Sequence, residues 1–279
     1  MTTVTEAKGR LRRGWQVARA FIEVDLIDAT NYPLAIVMKG LSAFVPVITF
    51  KFVADLMGDN GPDVAFDYYT FVVIGLITMS LLAATLNSFG NALLRLVTQG
   101  QLEMYLVEPV PWRMLPFFML PWPGLVALGT AAMMVGLSVP FGADYVLSSV
   151  PSAIVIVILG LIATLAVGIL GASVRVLSKR ADPVLSLYTI AASILSGAFF
   201  PVEELPEWLQ TLSWLIPHTY VIQALRRVLM PEGAVLEGAT AGQAMIALLI
   251  FTVVLHPIAL WFFGRTLEYG RKIGALSGY

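Results

Sequence analysis

Six stretches of the chain are long and apolar enough to cross a lipid bilayer as helices. A helix needs about 20 largely apolar residues to span the hydrocarbon core, because each residue rises only roughly 1.5 Å. The six stretches are 33–56, 68–94, 123–139, 151–176, 183–200 and 241–263. This pattern predicts an all-α polytopic membrane protein with six transmembrane helices, forming one transmembrane domain over residues 1–279.

The composition agrees with a membrane location. Of the 279 residues, 58% are hydrophobic and 13% are charged, whereas a soluble domain is about 25% charged. The formal net charge is −1 and indicates no highly charged partner, so we expect no nucleic acid to bind. Disulfides and thiolate metal sites are excluded because the chain has no cysteine.

Residues 6–31 predict an amphipathic helix ahead of the first span. Apolar residues recur at helical spacing, and basic residues occupy the other faces. A basic amphipathic helix of this kind lies in the membrane interface. A cytosolic helix that packs on a partner is the alternative. The apolar positions are Leu11, Trp15, Ala18, Ile22, Leu26 and Ala29, and the basic ones are Arg10, Arg12, Arg13 and Arg19.

The placement of Lys and Arg predicts the orientation. Thirteen of the 17 fall in the N-terminal segment, the C-terminal segment and the alternate loops between them. The loops after spans one and three carry only acidic charge, such as Asp63 and Asp144. The positive-inside rule therefore puts both termini in the cytoplasm.

The segment 193–227 carries an irregular pattern of prolines, glutamates and aromatic residues between spans five and six. An apolar run stops at Phe200 and Pro201, and two short amphipathic helices follow, separated by Pro217. Helices this short cannot cross a bilayer, so they must dip in and return or lie on its surface. Trp and Tyr in the segment favour the membrane–water boundary.

This segment resembles the signature of ABC-2-type transporter permeases, the membrane subunits of one class of bacterial ATP-driven exporters. The alternative is an ordinary amphipathic extracellular loop. The resemblance implies that residues 201–230 form extracellular helices that shape the exit of a transport route, and that spans one, two and five line that route. The matching residues are Ser196, Gly197, Phe200, Pro201, Leu205, Pro206, Trp208, Leu209, Pro217, Thr219, Ala224 and Arg226.

A second motif lies at residues 99–112, between spans two and three. Apolar residues such as Leu102 and Leu106 predict a short helix, which Pro109 ends. The motif resembles the coupling helix with which permeases of this family dock onto their ATPase subunit. A helix–turn that merely links two spans is the alternative. The matching residues are Gly100, Leu102, Glu103, Leu106 and Pro109.

Lys39 and Lys51 are the only lysines inside a predicted span. They lie about 18 Å apart along a helix and roughly 120° apart around it, so they do not share a face. Each can reach its nearer membrane boundary by snorkelling. In the alternative, they line the transport route that the resemblance places beside span one, and attract an anionic substrate.

Spans four and five carry small residues at intervals of four, which let helices approach closely in lipid. Whether they pack within one chain or between two copies stays open. The two ladders are Gly160, Thr164, Gly168 and Ala172 in span four, and Thr189, Ser193 and Gly197 in span five.

Familiar catalytic patterns are absent from the sequence. There is no GxxxxGK[ST] phosphate loop, no HExxH and no GxSxG. We therefore assign no catalytic, cofactor-binding or metal-binding residue. His218 lies in the signature, and His256 lies within span six, where it is either a proton relay or a bond to a neighbouring helix. Acidic residues avoid the middles of the spans, which argues against ion coupling.

These observations and the resemblance predict the permease subunit of an ATP-binding-cassette exporter in the bacterial cytoplasmic membrane. Its substrate would be a drug, a lipid, a glycolipid or a polysaccharide. A separate ATPase subunit would bind ATP and Mg, and a second permease copy, most simply the same chain, would complete the pathway. The alternatives are an ion-coupled secondary transporter and a membrane-embedded lipid-modifying enzyme.

Overall fold

The computed structural model describes residues 16, 19–27, 30–31, 33–57, 67–100, 112–178, 183–231 and 239–272. Across these residues the chain is helical and contains no strand, which confirms the all-α fold. Residues 19–27 are helical, and nine further α-helices follow in the described part of the chain. They are α1 (Pro33–Met57), α2 (Tyr68–Thr98), α3 (Leu115–Phe118), α4 (Pro121–Ser138), α5 (Val150–Ser178), α6 (Pro183–Leu195), α7 (Glu207–Ser213), α8 (Pro217–Leu229) and α9 (Ala241–Lys272).

Five helical stretches within the described residues are long and apolar enough to cross a membrane. They fall on the stretches predicted as spans one, two, three, four and six. The stretches are Gly40–Met57, Tyr68–Thr98, Trp112–Phe141, Leu147–Arg175 and Ala241–Gly270.

The predicted span five is shorter than expected. Residues 183–200 were expected to form one helix, but α6 ends at Leu195 and has 13 residues. Such a helix is about 20 Å long, less than the roughly 30 Å of a bilayer core. It ends because the chain turns at Ser196 and takes a left-handed conformation at Gly197, with φ of 75°. A left-handed glycine commonly closes the last turn of a helix.

Helices α2 and α5 pack closely in parallel at the centre of the bundle. Thr85 of α2 and Thr164 of α5 share a hydrogen bond of 2.9 Å. A Cβ on Gly168 would lie 2.9 Å from the carbonyl oxygen of Leu86, so only glycine permits this approach. The small-residue ladder of span four therefore packs within one chain, which the sequence alone left open.

The bundle has two distinct ends, set by the alternating directions of its helices. One end, here called the Asp67 end, holds the starts of α2 and α5 and the side chain of Asp144, whose backbone N–H bonds to Thr70. The other, the Arg95 end, holds the last turns of α2 and α5 with Arg95 and Arg175. Each end has its own hydrophobic core.

The peripheral helix α1 turns an apolar stripe outward. This surface is what a helix in contact with lipid requires, because lipid tails solvate apolar side chains as well as a protein core does. Its exposed residues recur roughly every turn: Leu34, Met38, Leu41, Val45, Phe52 and Leu56.

The helix before α1 is attached to the Arg95 end. Phe21 is buried in the core at that end, and Asp25 accepts a hydrogen bond of 2.9 Å from Arg95 of α2. Leu26 and Ile27 remain exposed on the outside. The predicted interfacial helix 6–31 is thus described only at residues 16, 19–27 and 30–31. Of its predicted apolar positions within those residues, Ile22 is half-buried and Leu26 is exposed.

Candidate functional site

The signature segment begins at the turn that ends α6. Gly197 has a positive φ of 75°, a conformation that side chains with a Cβ rarely adopt. A Cβ there would also lie 2.8 Å from a methyl group of Val202. The chain then turns through Phe200 and Pro201 into a 3-10 turn at Val202–Glu204.

Arg226 of α8 binds the signature turn to α2. Only 4% of this residue is exposed. Its Nη1 donates to the carbonyl oxygen of Gly197 at 2.7 Å, and its Nη2 donates to that of Ala198 at 2.8 Å. Its Nε donates to the carbonyl oxygen of Phe71 at 3.1 Å, and the guanidinium lies over the Phe71 ring. Backbone carbonyls and an aromatic face thereby compensate the desolvation of a buried charge.

The same turn makes an unusually close contact with α2. A Cβ on Gly75 would lie 2.1 Å from the carbonyl oxygen of Ala198, which no relaxation of a flexible side chain could relieve. Phe199 stacks on Phe50 of α1, with ring centroids 5.5 Å apart. The signature turn therefore touches the first two long helices as well as α8.

The two short helices of the segment differ in environment. Trp208 of α7 is 66% exposed, as a membrane-interface anchor would be. Helix α8, in contrast, is buried over most of its length between α2, α5 and α9. Of the two possibilities left by the sequence, α8 enters the bundle and does not lie on its surface.

Local hydrogen bonds hold the junctions of α7 and α8. Gln210 donates to the carbonyl oxygens of Glu203 and Leu205 at 3.1 and 2.7 Å. Thr219 donates to Ser213 at 2.6 Å across the junction. Pro206 precedes α7 and Pro217 opens α8, where a missing N–H costs nothing because the first turn of a helix leaves it unpaired.

His218 is fully buried in the first turn of α8. Its Nδ1 lies 3.2 Å from the hydroxyl of Tyr188 in α6. Burial lowers the pKa of His218 to about 3, so the ring is neutral at physiological pH. The other histidine, His256, has its Nδ1 3.1 Å from the carbonyl oxygen of Thr252 on its own helix, and its ring stacks on Phe117.

The predicted coupling segment is described only at its two edges. Leu102, Glu103, Leu106 and Pro109 lie outside the described residues. Gly100 ends the turn after α2 with φ of 66°, and a Cβ there would meet no described atom within 4 Å. At the other edge, Trp112 opens a 3-10 turn and packs against Phe263 of α9.

The two candidate pathway lysines lie on α1. The backbone of Lys39 is helical, but its side chain lies outside what the structure describes. The Nζ of Lys51 lies 2.6 Å from Oδ1 of Asp55, one turn further along α1. It also lies 5.7 Å from the centroid of the Tyr69 ring in α2. Lys51 thus has an acidic partner, which the sequence analysis did not identify.

The signature residues meet partners that sequence analysis missed. Phe71 and Gly75 lie in the apolar run of span two and give no signal of their own, because a glycine in such a run is common. Two partners outside the signature were missed as well: Asp55, which pairs with Lys51, and Gly264 of α9, where a Cβ would lie 2.5 Å from Cη2 of Trp112. Spacing could have suggested Asp55, since a carboxylate four residues after a lysine is a favourable helical pair.

Most of the chain matches a known protein family by sequence. Residues 19–230 match the ABC-2 type transporter family, and no curated protein matches the sequence. The matched residues include helices α1 to α8, the signature segment and residues 99–112. This family comprises transporter membrane domains, in keeping with the five long apolar helices. The chain is therefore a membrane protein that belongs to the ABC-2 type transporter family.

Proposed function

We propose that this chain is the permease subunit of an ATP-driven exporter and that a separate ATP-binding-cassette subunit supplies the energy. The observation that carries the proposal is the family match over residues 19–230. ATP and Mg are bound by the partner, since the sequence has no phosphate loop. Two permease copies, most simply identical, assemble with two ATPase subunits in the bacterial cytoplasmic membrane, with both termini in the cytoplasm.

The arrangement of the bundle supports this division of labour. The edges of the 99–112 segment lie at the Arg95 end, and the signature turn lies toward the Asp67 end. The first position suits contact with a cytoplasmic ATPase, and the second suits the exit of a substrate. Helix α2 joins the two regions, because the turn at Gly100 follows its last residue, and Phe71 and Gly75 contact the signature turn near its start. A movement of α2 therefore reaches both regions.

In this mechanism, binding of ATP favours one of two packings of the bundle. The ATPase binds ATP with different affinity in the two states, and that difference drives the alternation. The substrate is an amphipathic or lipid-linked molecule, such as a drug, a lipid, a glycolipid or a polysaccharide. The outward apolar stripe of α1 suits a route open to the lipid.

Purification of the tagged chain from its native membrane tests the proposal. We expect an ATPase with a phosphate loop to co-purify. Glu103→Arg should reduce the bound ATPase, because the reversed charge would oppose basic residues at the docking surface. Glu268→Arg is the matched control, since Glu268 is exposed near the end of α9 at the same end of the bundle. A wild-type chain that retains no ATPase and transports on an ion gradient would refute the proposal.

A further inference from the structure

Two exposed arginines lie over tryptophan rings at the Arg95 end of the bundle. The guanidinium of Arg113 is 5.3 Å from the centroid of the Trp112 ring, and that of Arg265 is 5.7 Å from the centroid of the Trp261 ring. A guanidinium that stacks on an aromatic face still has N–H donors at its edge for an anion. Each arginine therefore presents a positive charge that an aromatic ring helps to hold in place.

The packing against α9 brings the two pairs to the same level of the bundle. A Cβ on Gly264, the residue before Arg265, would lie 2.5 Å from Cη2 of Trp112, the residue before Arg113. Trp112 opens one long apolar stretch, and Arg265 lies near the end of another. Arginine and tryptophan at the ends of such stretches are typical of the boundary between hydrocarbon and lipid headgroups. The expected depth of both guanidiniums is that of the lipid phosphates.

No carboxylate among the described residues forms an ion pair with Arg113 or Arg265. In this they differ from Arg19 and Arg95 at the same end, each of which has an acidic partner. Glu268, three residues after Arg265 on α9, is exposed and makes no ion pair with it. The two charges can therefore be neutralised by an anion from outside the described chain.

An apolar surface runs along α9 away from Arg265. Its residues are exposed and recur every three or four positions, so they form one stripe on the helix. From Ile250 to Arg265 this stripe is about 22 Å long. Beside it, Phe117 of α3 is exposed and stacks on His256 of α9, with ring centroids 5.6 Å apart. The length and character of the surface suit the acyl chains of a lipid. The stripe consists of Ile250, Val254, Ile258 and Trp261.

We propose that Arg113 and Arg265 bind the phosphate of an anionic phospholipid whose acyl chains lie along the exposed stripe of α9. The lipid's charge complements two cations that have no acidic partner in the described chain. Its chains cover an apolar surface that a water-soluble anion would leave uncovered. A zwitterionic lipid suits the site less well, because its own headgroup cation would oppose the arginines. The proposal does not rest on the proposed function, since it concerns the chain and the bilayer alone.

Binding is measured on the purified full-length chain in detergent after its native lipid has been removed. Native mass spectrometry counts the bound lipids during titration with phosphatidylglycerol or phosphatidylcholine. We expect the wild type to bind phosphatidylglycerol more tightly. Arg113→Gln and Arg265→Gln should each weaken that binding by about fivefold, which is the contribution of one basic residue near an anionic membrane surface. Arg265→Lys should retain most of the affinity, because the charge remains.

Thermal unfolding separates lipid binding from folding. Without added lipid, both glutamine variants should unfold at the wild-type temperature, because both arginines are exposed. Phosphatidylglycerol should raise the unfolding temperature of the wild type and raise that of the double glutamine variant much less. Arg19→Gln is the matched control, since it removes one positive charge at the same end from an arginine already paired with Glu23. Phosphatidylglycerol should stabilise this control as it does the wild type.

Four results would overturn the assignment. Undiminished binding of phosphatidylglycerol by the double variant would show that the arginines do not hold the lipid. An equal loss in Arg19→Gln would show attraction to overall charge. Soluble glycerol phosphate that raised the unfolding temperature as much as phosphatidylglycerol would show an anion site without a lipid. Loss of a co-purifying protein from the double variant, with lipid binding unchanged, would assign the surface to a protein partner.

Discussion

Arg226 donates a hydrogen bond of 2.7 Å to the carbonyl oxygen of Gly197, although 29 residues separate them along the chain. The bond closes the signature segment into a loop whose two ends meet on α2. Because Gly197 ends α6 and Arg226 lies near the end of α8, this one contact sets where α7 and the start of α8 lie relative to the bundle.

Replacement of Arg226 by methionine is expected to destabilise the chain by about 3 kcal/mol, since it leaves buried carbonyls without their charged donor. Lysine keeps the charge but cannot place three donors in one plane, so Arg226→Lys should recover only part of the loss. Thermal unfolding in detergent measures the effect. Arg265→Met is the control, because Arg265 is exposed on α9. Equal unfolding temperatures for the two methionine variants would show that the Arg226 contacts do not stabilise the fold.

Single cysteines test the orientation of the bundle. Asp144, Glu204 and Tyr269 are all exposed, so burial does not limit their labelling. Asp144→Cys and Glu204→Cys should react with an impermeant maleimide in intact cells. Tyr269→Cys, at the Arg95 end, should react only after the membrane is permeabilised. Labelling of Tyr269→Cys from outside would contradict a cytoplasmic C-terminus.

The ion pair of Lys51 with Asp55 makes a prediction about substrate charge. Asp55 neutralises the lysine, which favours a membrane-boundary anchor over an attractive site for an anionic substrate. Lys51→Gln should therefore lower ATPase stimulation equally with vesicles of anionic and of zwitterionic lipid. The change in stability should be small, because an i,i+4 pair at a helix surface contributes about 0.3–0.5 kcal/mol.

Asp55→Asn provides the complementary test, because it leaves the Lys51 charge uncompensated. If Lys51 is an anchor, this variant should show no new preference for anionic lipid. A selective gain with Asp55→Asn and a selective loss with Lys51→Gln would instead place Lys51 on the transport route.

The buried His218 predicts a pH dependence of stability. Its pKa is lowered to about 3 in the folded chain by burial, against roughly 6.5 in the unfolded chain. Below pH 6.5 the unfolded state therefore takes up a proton that the folded state excludes. Stability should fall as the pH drops from about 6.5 toward 4, by up to about 1.4 kcal/mol per pH unit. His218→Gln should flatten this part of a plot of unfolding temperature against pH, and an unchanged slope would exclude the histidine as its cause.

The contacts of the candidate site could be predicted only in part. Arg226, Gly197 and Trp208 could be singled out from the sequence alone. They belong to a segment whose prolines and glycines mark turns, and such marks are visible without a structure. Their partners do not stand out. Phe71 lies 155 residues from Arg226 in the chain, and nothing in its neighbourhood distinguishes it from the other apolar residues of α2. Glu103 and its neighbours stay predictions, since the structure does not describe them.

The sequence by itself determined the helical class, the positions of the long apolar helices and the family, because hydropathy, helical spacing and turn residues act over a few neighbouring positions. Only the tertiary structure decided that α6 stops at Leu195, that α8 is buried in the bundle, and that Gly75, Gly168 and Gly264 are the places where other segments approach. These features depend on close packing between residues far apart in the chain. The residues next to a glycine in the sequence do not indicate which distant segment will pack against it.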